Sequence, residues 1–299
     1  MEVFHSPDDA RRYVWDLRSH GRTVGLVPTM GALHKGHLSL VKAAGCCDST
    51  VASIFINPVQ FGPHEDLEKY PRTLNEDLQQ LREAGVQAVF TPGKEQMYPE
   101  GFSSYIDPPE VAKPLEGIFR PGHFRGVTTV VLKLLQAMPA SHAFFGKKDY
   151  QQWRVIEAMV RDLNIGTRII GCETVREPDG LALSSRNRYL DAEQRDRALL
   201  LSEALRQTQT LLQAGETDAE QLQQCMRQTL LGFNRGGSTS QGAELSSPPT
   251  QGVDKIDYAE IVAADTLTRV NSIDGPVVAV IAAHVGTTRL IDNRELNRS

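Results

Sequence analysis

Short apolar segments alternate with amphipathic ones along the first two thirds of the chain. Nearly continuous apolar runs predict strands at 23–27, 50–56, 86–90, 142–145 and around 168–171. Apolar stripes predict helices at 38–44, 73–85, 127–138 and 150–163, the second with capping-box spacing from Thr73 to Glu76. Strands that are apolar throughout and alternate with helices predict an α/β fold, with a Rossmann-like parallel sheet covered on both faces.

The pattern changes after residue 187. Amphipathic helices are predicted at 191–213 and 218–231, and short strands around 257–262, 277–283 and 288–292. Residues 232–252 are rich in Gly, Ser, Thr, Gln and Pro and have little to bury, so we expect a flexible loop there. We therefore expect a sheet domain over 1–187 and a smaller C-terminal α+β domain over 188–299.

Composition narrows the class of protein. The 299 residues are 40% hydrophobic and 23% charged, with a formal net charge of −5, which is typical of a globular chain and argues against a general nucleic-acid binder. We expect no membrane partner, because no apolar run approaches ~20 residues. We also expect that residues 1–7 do not form a signal peptide. The four cysteines lack metal-binding spacing, so we expect free thiols in a reducing, cytoplasmic setting.

The first candidate site is the segment Pro28–His37, between the first predicted strand and helix. His34 and His37 are three positions apart, so at a helix N-terminus both rings project to the same side, and Gly36 lets a ligand approach the backbone. The N–H groups of a helix end favour a phosphate, and an imidazolium there would stabilise charge on a transferring phosphoryl group. Surface or capping histidines are the alternative, which the strand–loop–helix setting disfavours.

Two later segments place cations after predicted strands. Residues 144–152 carry Lys148 at the start of a predicted helix. Residues 179–187 carry two serines and Arg186. The serine hydroxyls and the arginine guanidinium are suited to binding a triphosphate. A solvated polar turn is the alternative for either segment alone. Their conjunction with the histidine motif favours a nucleotide site.

Two further polar residues are candidates for binding. Gln60, at the exit of the second predicted strand, offers a donor and an acceptor to a hydroxylated substrate without adding charge. Asp77, on the following helix, is suited to a magnesium ion, although exposed helix carboxylates are usually only solvated.

These motifs resemble the pantoate–β-alanine ligase family of the nucleotidyltransferase superfamily. The similar segments are 28–37, 53–62, 70–73, 145–152, 183–187 and 286–293. The resemblance implies that pantoate attacks the α-phosphorus of ATP to give pantoyl adenylate and pyrophosphate, and that β-alanine then displaces AMP to form pantothenate. It also implies Mg²⁺ as a cofactor and a homodimer.

The resemblance further implies roles for individual residues. His34, His37, Lys148 and Arg186 would be catalytic. His37 stands at the position that the family treats as the proton donor, and electrostatic stabilisation is an equally sound physical role for it. The other ATP contacts would be Met30, Gly31, Ala32, Leu33, Lys35, Gly36, Gly146, Lys147, Asp149, Val175, Leu183, Ser184 and Ser185. The substrate-binding residues would be Gln60, Gln152, Arg120 and His123, and magnesium would lie at Asp77.

The sequence departs from the family pattern at two places. Lys147 stands where the family commonly has Glu, and the 232–252 segment is longer than the usual connection. Two other interpretations stay open from the residues: a different H-x-G-H transferase acting on a nucleotide or phosphopantetheine, and a nucleotide-binding protein without catalysis. The C-terminal domain is expected to act as a lid, because an acyl adenylate hydrolyses in water.

Overall fold

The computed structural model describes residues 1–63, 65–233 and 251–297. The chain divides into two compact units, Met1–Val175 and Arg176–Ser299. The division comes earlier than the boundary expected after residue 187. The reason is that the segment after Val175 is bonded to the second unit, where Arg176 pairs with Asp292 at 2.7 Å.

The described residues of the first unit form a six-stranded sheet in which all neighbouring strands are parallel. The strands are β1 (Glu2–Phe4), β2 (Val24–Thr29), β3 (Ser49–Ile54), β4 (Ala88–Phe90), β5 (His142–Gly146) and β6 (Arg168–Cys172), in the order β1-β4-β3-β2-β5-β6. The predicted Rossmann-like sheet is confirmed. The sequence pattern missed β1, which has only three residues and no apolar run.

Helices cover both faces of this sheet. They are α1 (Pro7–Ser19), α2 (Lys35–Ala44), α3 (Leu74–Glu83), α4 (Lys94–Met97), α5 (Glu116–Phe119), α6 (His123–Ala137) and α7 (Tyr150–Asp162). Val14, Val131 and Ile156 belong to one apolar cluster, and Val41 and Leu81 to another, so the buried strands are covered on each side.

Helix α1 was not predicted, although the sequence carries a signal for its start. Ser6 caps the helix by accepting a hydrogen bond from the Asp9 N–H, and Pro7 occupies the first turn. A serine followed by proline is a typical helix N-terminus.

Two local expectations were wrong. Strand β2 does not end at Pro28 but continues to Thr29, whose carbonyl accepts from the Phe55 N–H. Alternate residues of a parallel strand bond to opposite neighbours, so Pro28 faces β5, with which β2 pairs only at Gly25 and Leu26. Its missing N–H therefore interrupts no pair.

The expected capping box at the start of α3 is the second wrong expectation. Thr73 stands at the N-cap but makes no side-chain capping bond. Its hydroxyl donates instead to the Asp77 carboxylate, 3.2 Å away, because that carboxylate is buried one turn into the helix.

The strand order locates the edge at which a ligand binds. From β2 the chain proceeds outward through β3 and β4, and it later returns to add β5 and β6 on the other side of β2. Open parallel sheets bind ligands beyond the carboxyl ends of the strands at such a reversal of direction. The loops after β2, β3 and β5 therefore form the candidate site.

The second unit has the predicted α+β character. It contains α8 (Ala192–Gln213), α9 (Ala219–Leu230), β7 (Lys255–Ala263), β8 (Val277–Val285) and β9 (Thr288–Leu296). The three strands form an antiparallel sheet, and the helices bury Leu205 and Leu222 against Ile261 and Ile281 in one apolar cluster. Most of the predicted 232–252 loop, residues 234–250, lies outside the described residues.

Within the described ranges, none of the helices combines the length and the apolar character that crossing a membrane requires. The four cysteines are free thiols, as expected.

Candidate active site

A sharply turned loop carries the H-x-G-H motif from β2 to α2. Gly31 and Ala32 both have positive φ, 82° and 50°. Glycine adopts this conformation readily, whereas for Ala32 it costs about 1–2 kcal/mol. The turn brings His34 to the N-cap of α2, at the carboxyl end of β2.

The two histidines of the motif cap α2 with their own rings. Nδ1 of His34 accepts a hydrogen bond from the Gly36 N–H at 3.1 Å, and Nδ1 of His37 accepts from the His34 N–H at 3.3 Å. The ring centroids are 4.1 Å apart. In a neutral imidazole whose Nδ1 accepts, Nε2 carries the proton. Each ring therefore has an Nε2–H donor on the side remote from its helix cap.

His37 is a neutral imidazole. Desolvation, together with the nearby charges of His34 and Lys148, lowers its pKa to about 3. The sequence analysis considered a charged imidazolium at this helix N-terminus. In the structure the ring of His37 is instead neutral, and it can donate a hydrogen bond. Because the charge of Lys148 acts on His37, Lys148, which follows β5, lies near the motif that follows β2.

The two neighbouring lysines after β5 have different surroundings. Lys147 pairs with Glu173 at 2.7 Å, and its ammonium lies 5.5 Å from the centre of the Trp153 ring. Lys148 and Asp149 complete the short turn that leads into α7. Lys147, one of the two departures expected from the sequence, is thus held by a carboxylate of this chain.

The turn after β3 holds Gln60 among protein groups. Its side-chain oxygen accepts from Nδ2 of Asn57 at 3.1 Å, and its Nε2 donates to the sulfur of Met30 at 3.0 Å. Asn57 also donates to the carbonyl of Gly126 and accepts from the Tyr98 hydroxyl at 2.7 Å. Sequence reasoning missed Asn57, although its place at the end of a buried strand was a usable signal.

Arg120 and His123 are bonded to the protein around Gln60. Nδ1 of His123 donates to the backbone carbonyl of Gln60 at 2.8 Å, and its Nε2 accepts from Arg120 at 3.0 Å. Arg120 also makes two bonds of 2.7 Å to Glu65. Burial, with the charge of Arg120, lowers the pKa of His123 to about 4, so this ring is neutral too. Both residues position the turn that carries Gln60.

The two glutamines at the start of α7, Gln151 and Gln152, have different surroundings. Gln151 is buried, accepts from the Glu116 N–H and donates to the carbonyls of Val111 and Pro114. The Gln152 side chain is half-buried and makes no hydrogen bond to another of the described residues. Gln152 is therefore the one suited to a substrate.

Asp77 has a different set of contacts from those expected of a metal ligand. Its carboxylate lies beneath the H-x-G-H loop and accepts from the N–H groups of Ala32 and Leu33, at 3.0 and 2.8 Å. In the described parts of the chain, no group of three or more His, Cys, Asp or Glu side chains is arranged to hold a metal ion. The residues present do not fit a resident magnesium at Asp77.

The remaining predicted contacts are distributed over both units. Residues 30–37 and 146–149 follow β2 and β5, and Val175 ends the first unit. Residues 183–186 belong to the second unit, where the Ser184 hydroxyl caps a short turn by accepting from the Arg186 N–H at 3.3 Å. Asn187 holds this turn by donating to Glu177 and to the Ala182 carbonyl.

Comparison with known proteins decides the family. The sequence model of the Pantoate-beta-alanine ligase family matches residues 2–295. The chain belongs to the pantoate–β-alanine ligase family. A pantothenate synthetase of Rhodopirellula baltica is 50% identical to it over 300 residues, which cover 99% of each chain.

Solved structures of family members agree with this fold. The crystal structure of pantothenate synthetase from Thermus thermophilus matches 99% of both chains with a TM-score of 0.85 and 38% identity. The pantoate–β-alanine ligase of Francisella tularensis, complexed with β-γ ATP and β-alanine, matches the full length of both chains with a TM-score of 0.72 and 33% identity.

The family makes this chain an ATP-dependent ligase that joins pantoate to β-alanine. The activity implied by the sequence resemblance is therefore confirmed, with a nucleotidyltransferase-like fold. The interpretation as a different H-x-G-H transferase finds no support.

Proposed function

We propose that this ligase works in two steps, with a pantoyl adenylate between them. In the first, an oxygen of the pantoate carboxylate forms a bond to the α-phosphorus of ATP, and the bond to pyrophosphate breaks. In the second, the β-alanine amine attacks the acyl carbon, AMP leaves, and the amine loses a proton. A carboxylate attacking a polyphosphate needs donors and cations that reduce repulsion and stabilise the charge of the transition state.

The geometry of the H-x-G-H histidines carries this proposal. Because Nδ1 of His34 and of His37 accepts a backbone N–H, each neutral ring carries its proton on Nε2 and would donate a hydrogen bond from there to phosphate oxygens at the N-terminus of α2. Lys148 and Arg186 would supply the positive charge. His37 then acts as a neutral hydrogen-bond donor to the phosphates.

Gln60 and Gln152 are the proposed pantoate ligands, with Gln60 also placing β-alanine. Both side chains are uncharged and offer a donor and an acceptor, which suits a substrate with hydroxyl groups. We add Asn57, because its Nδ2 bonds to Oε1 of Gln60 and fixes which way that amide faces. Arg120 and His123 would act through the Gln60 backbone.

The same proposal covers four further points: how magnesium is bound, the oligomeric state, the location in the cell and the role of the second unit. Magnesium would enter bound to the ATP phosphates, since the described residues offer no three-ligand group for it. A homodimer, to be checked by sedimentation, and a cytoplasmic location fit the family and the free thiols. The second unit would serve as a lid over the adenylate, so small-angle scattering should detect compaction when ATP and pantoate are added.

One assay tests the reaction. Exchange of labelled pyrophosphate into ATP should require pantoate, and AMP release should then require β-alanine. Exchange driven by another acid, or an absence of exchange with pantoate, would contradict the proposal.

A further inference from the structure

Asp77 connects two segments that lie far apart in the sequence. It is in the first turn of α3 and only 1% exposed. Its Oδ2 accepts from the Ala32 N–H and its Oδ1 from the Leu33 N–H, while the Thr73 hydroxyl donates to Oδ2. Both carboxylate oxygens are therefore engaged by donors of the protein itself.

The segment that Asp77 holds has an uncommon backbone conformation. Gly31 and Ala32 are successive residues with positive φ, and a non-glycine residue keeps that conformation only where its surroundings impose it. Ionised carboxylates make the stronger class of hydrogen bond to backbone N–H groups. The Asp77 carboxylate is also close-packed here, because a Cβ on Gly31 would lie 3.0 Å from Oδ2.

Leu33 is followed directly by His34, the N-cap of α2. The rings of His34 and His37 carry the Nε2–H groups that would donate to the phosphates. A displacement of residues 32 and 33 would therefore move the capping histidines. We propose that Asp77 is a positioning residue that holds the H-x-G-H loop through the Ala32 and Leu33 amides, and that it is not a ligand of magnesium. This inference rests on the proposed function, because its kinetic consequence falls on adenylate formation.

Asp77→Asn tests the proposal with little change in size. An asparagine offers one acceptor oxygen, and its NH₂ group would face one of the two backbone donors. We expect pantoate-dependent pyrophosphate exchange at saturating ATP to fall about 100-fold, the loss associated with a misplaced catalytic group. The reaction of preformed pantoyl adenylate with β-alanine should keep its rate, because it needs no contact with the β- and γ-phosphates.

The magnesium concentration separates the two roles of Asp77. For a positioning residue, the loss in Asp77→Asn is the same at every Mg²⁺ concentration that saturates the wild type. If the exchange rate returned at high Mg²⁺, or if exchange were unchanged, the proposal would be overturned. Glu76→Gln is the matched control, since Glu76 is an exposed carboxylate in the same helical turn, and we expect wild-type exchange from it.

A spectroscopic measurement makes the test independent of activity. The imidazole ¹⁵N shifts of His34 and His37 should change in Asp77→Asn and stay unchanged in Glu76→Gln. Wild-type shifts in Asp77→Asn would overturn the positioning role even if the proposed reaction were wrong. If Asp77→Asn does not fold, Asp77→Glu takes its place: it keeps the charge, and the longer side chain should shift the loop and lower exchange without altering the Mg²⁺ requirement.

Discussion

Nδ1 of His37 accepts a hydrogen bond from the backbone N–H of His34, 3.3 Å away. The ring that is expected to contact ATP thus also satisfies a helix N-terminus that would otherwise lack acceptors. This second role determines which nitrogen carries the proton. The helix cap therefore prepares His37 as a donor through Nε2.

Two variants of His37 separate these roles. The amide nitrogen of His37→Gln lies near the position of Nε2, whereas the oxygen of His37→Asn lies near that of Nδ1. We expect His37→Gln to retain more pyrophosphate exchange than His37→Asn, and His37→Ala to lose exchange by orders of magnitude with its fold intact. Exchange rates and circular dichroism of the three variants check this, and an equal loss in the Gln and Asn variants would contradict it.

The pH dependence of adenylate formation tests the charge of His37. With a pKa lowered to about 3, His37 in the free enzyme stays neutral as the pH falls from 9 to 5. We therefore expect kcat/KM for ATP to lack an ionisation of His37 in that range. An ionisation between pH 5.5 and 7.5 that disappears in His37→Gln would instead identify His37 as an acid that titrates.

His123 makes stability depend on pH. Its pKa is lowered from 6.5 to about 4 in the folded protein, where the ring faces Arg120, Glu65 and Glu116. Between these values the unfolded chain binds the additional proton, so stability is lost as the pH falls from about 6.5 towards 4. At pH 5 the loss from this group is about 2 kcal/mol relative to pH 7.

Urea unfolding at pH 7 and pH 5 measures this effect. His123→Asn keeps an N–H near the Gln60 carbonyl but cannot titrate, so the wild type should lose about 2 kcal/mol more than this variant between the two pH values. His20→Asn, at an exposed position, is the control and should behave like the wild type. Equal pH dependence in His123→Asn and the wild type would refute the prediction.

Gly126 allows α6 to approach the turn that carries Gln60. A Cβ at this position would lie 2.6 Å from the Val59 carbonyl oxygen and 2.7 Å from the Gln60 backbone nitrogen. Because backbone atoms cannot rotate away, we expect Gly126→Ala to destabilise the protein by about 1–3 kcal/mol and to raise the KM for pantoate.

Thermal unfolding and steady-state kinetics measure the two effects of Gly126→Ala. Gly166→Ala serves as the control, because a Cβ there would meet no atom within 4 Å. A variant at Gly126 with wild-type Tm and wild-type KM for pantoate would show that the turn accommodates the methyl group.

The sequence by itself determined the alternation of strands and helices, because apolar runs and stripes are local patterns that each element needs to bury its own face. It also identified the H-x-G-H motif and the segments that carry Lys148 and Arg186 as candidate contacts for a polyanion. The short β1 escaped detection because three residues are too few to show a period.

Only the tertiary structure decided what these residues contact. The placement of β5 beside β2 brings Lys148 near His37, and the packing of α3 beneath the loop turns Asp77 from a candidate metal ligand into an acceptor for Ala32 and Leu33. Likewise, the tautomer of His123 follows from the carbonyl of Gln60. These roles depend on burial and on hydrogen bonds between residues that are distant in the chain, and no local pattern of hydrophobic and polar positions contains that information.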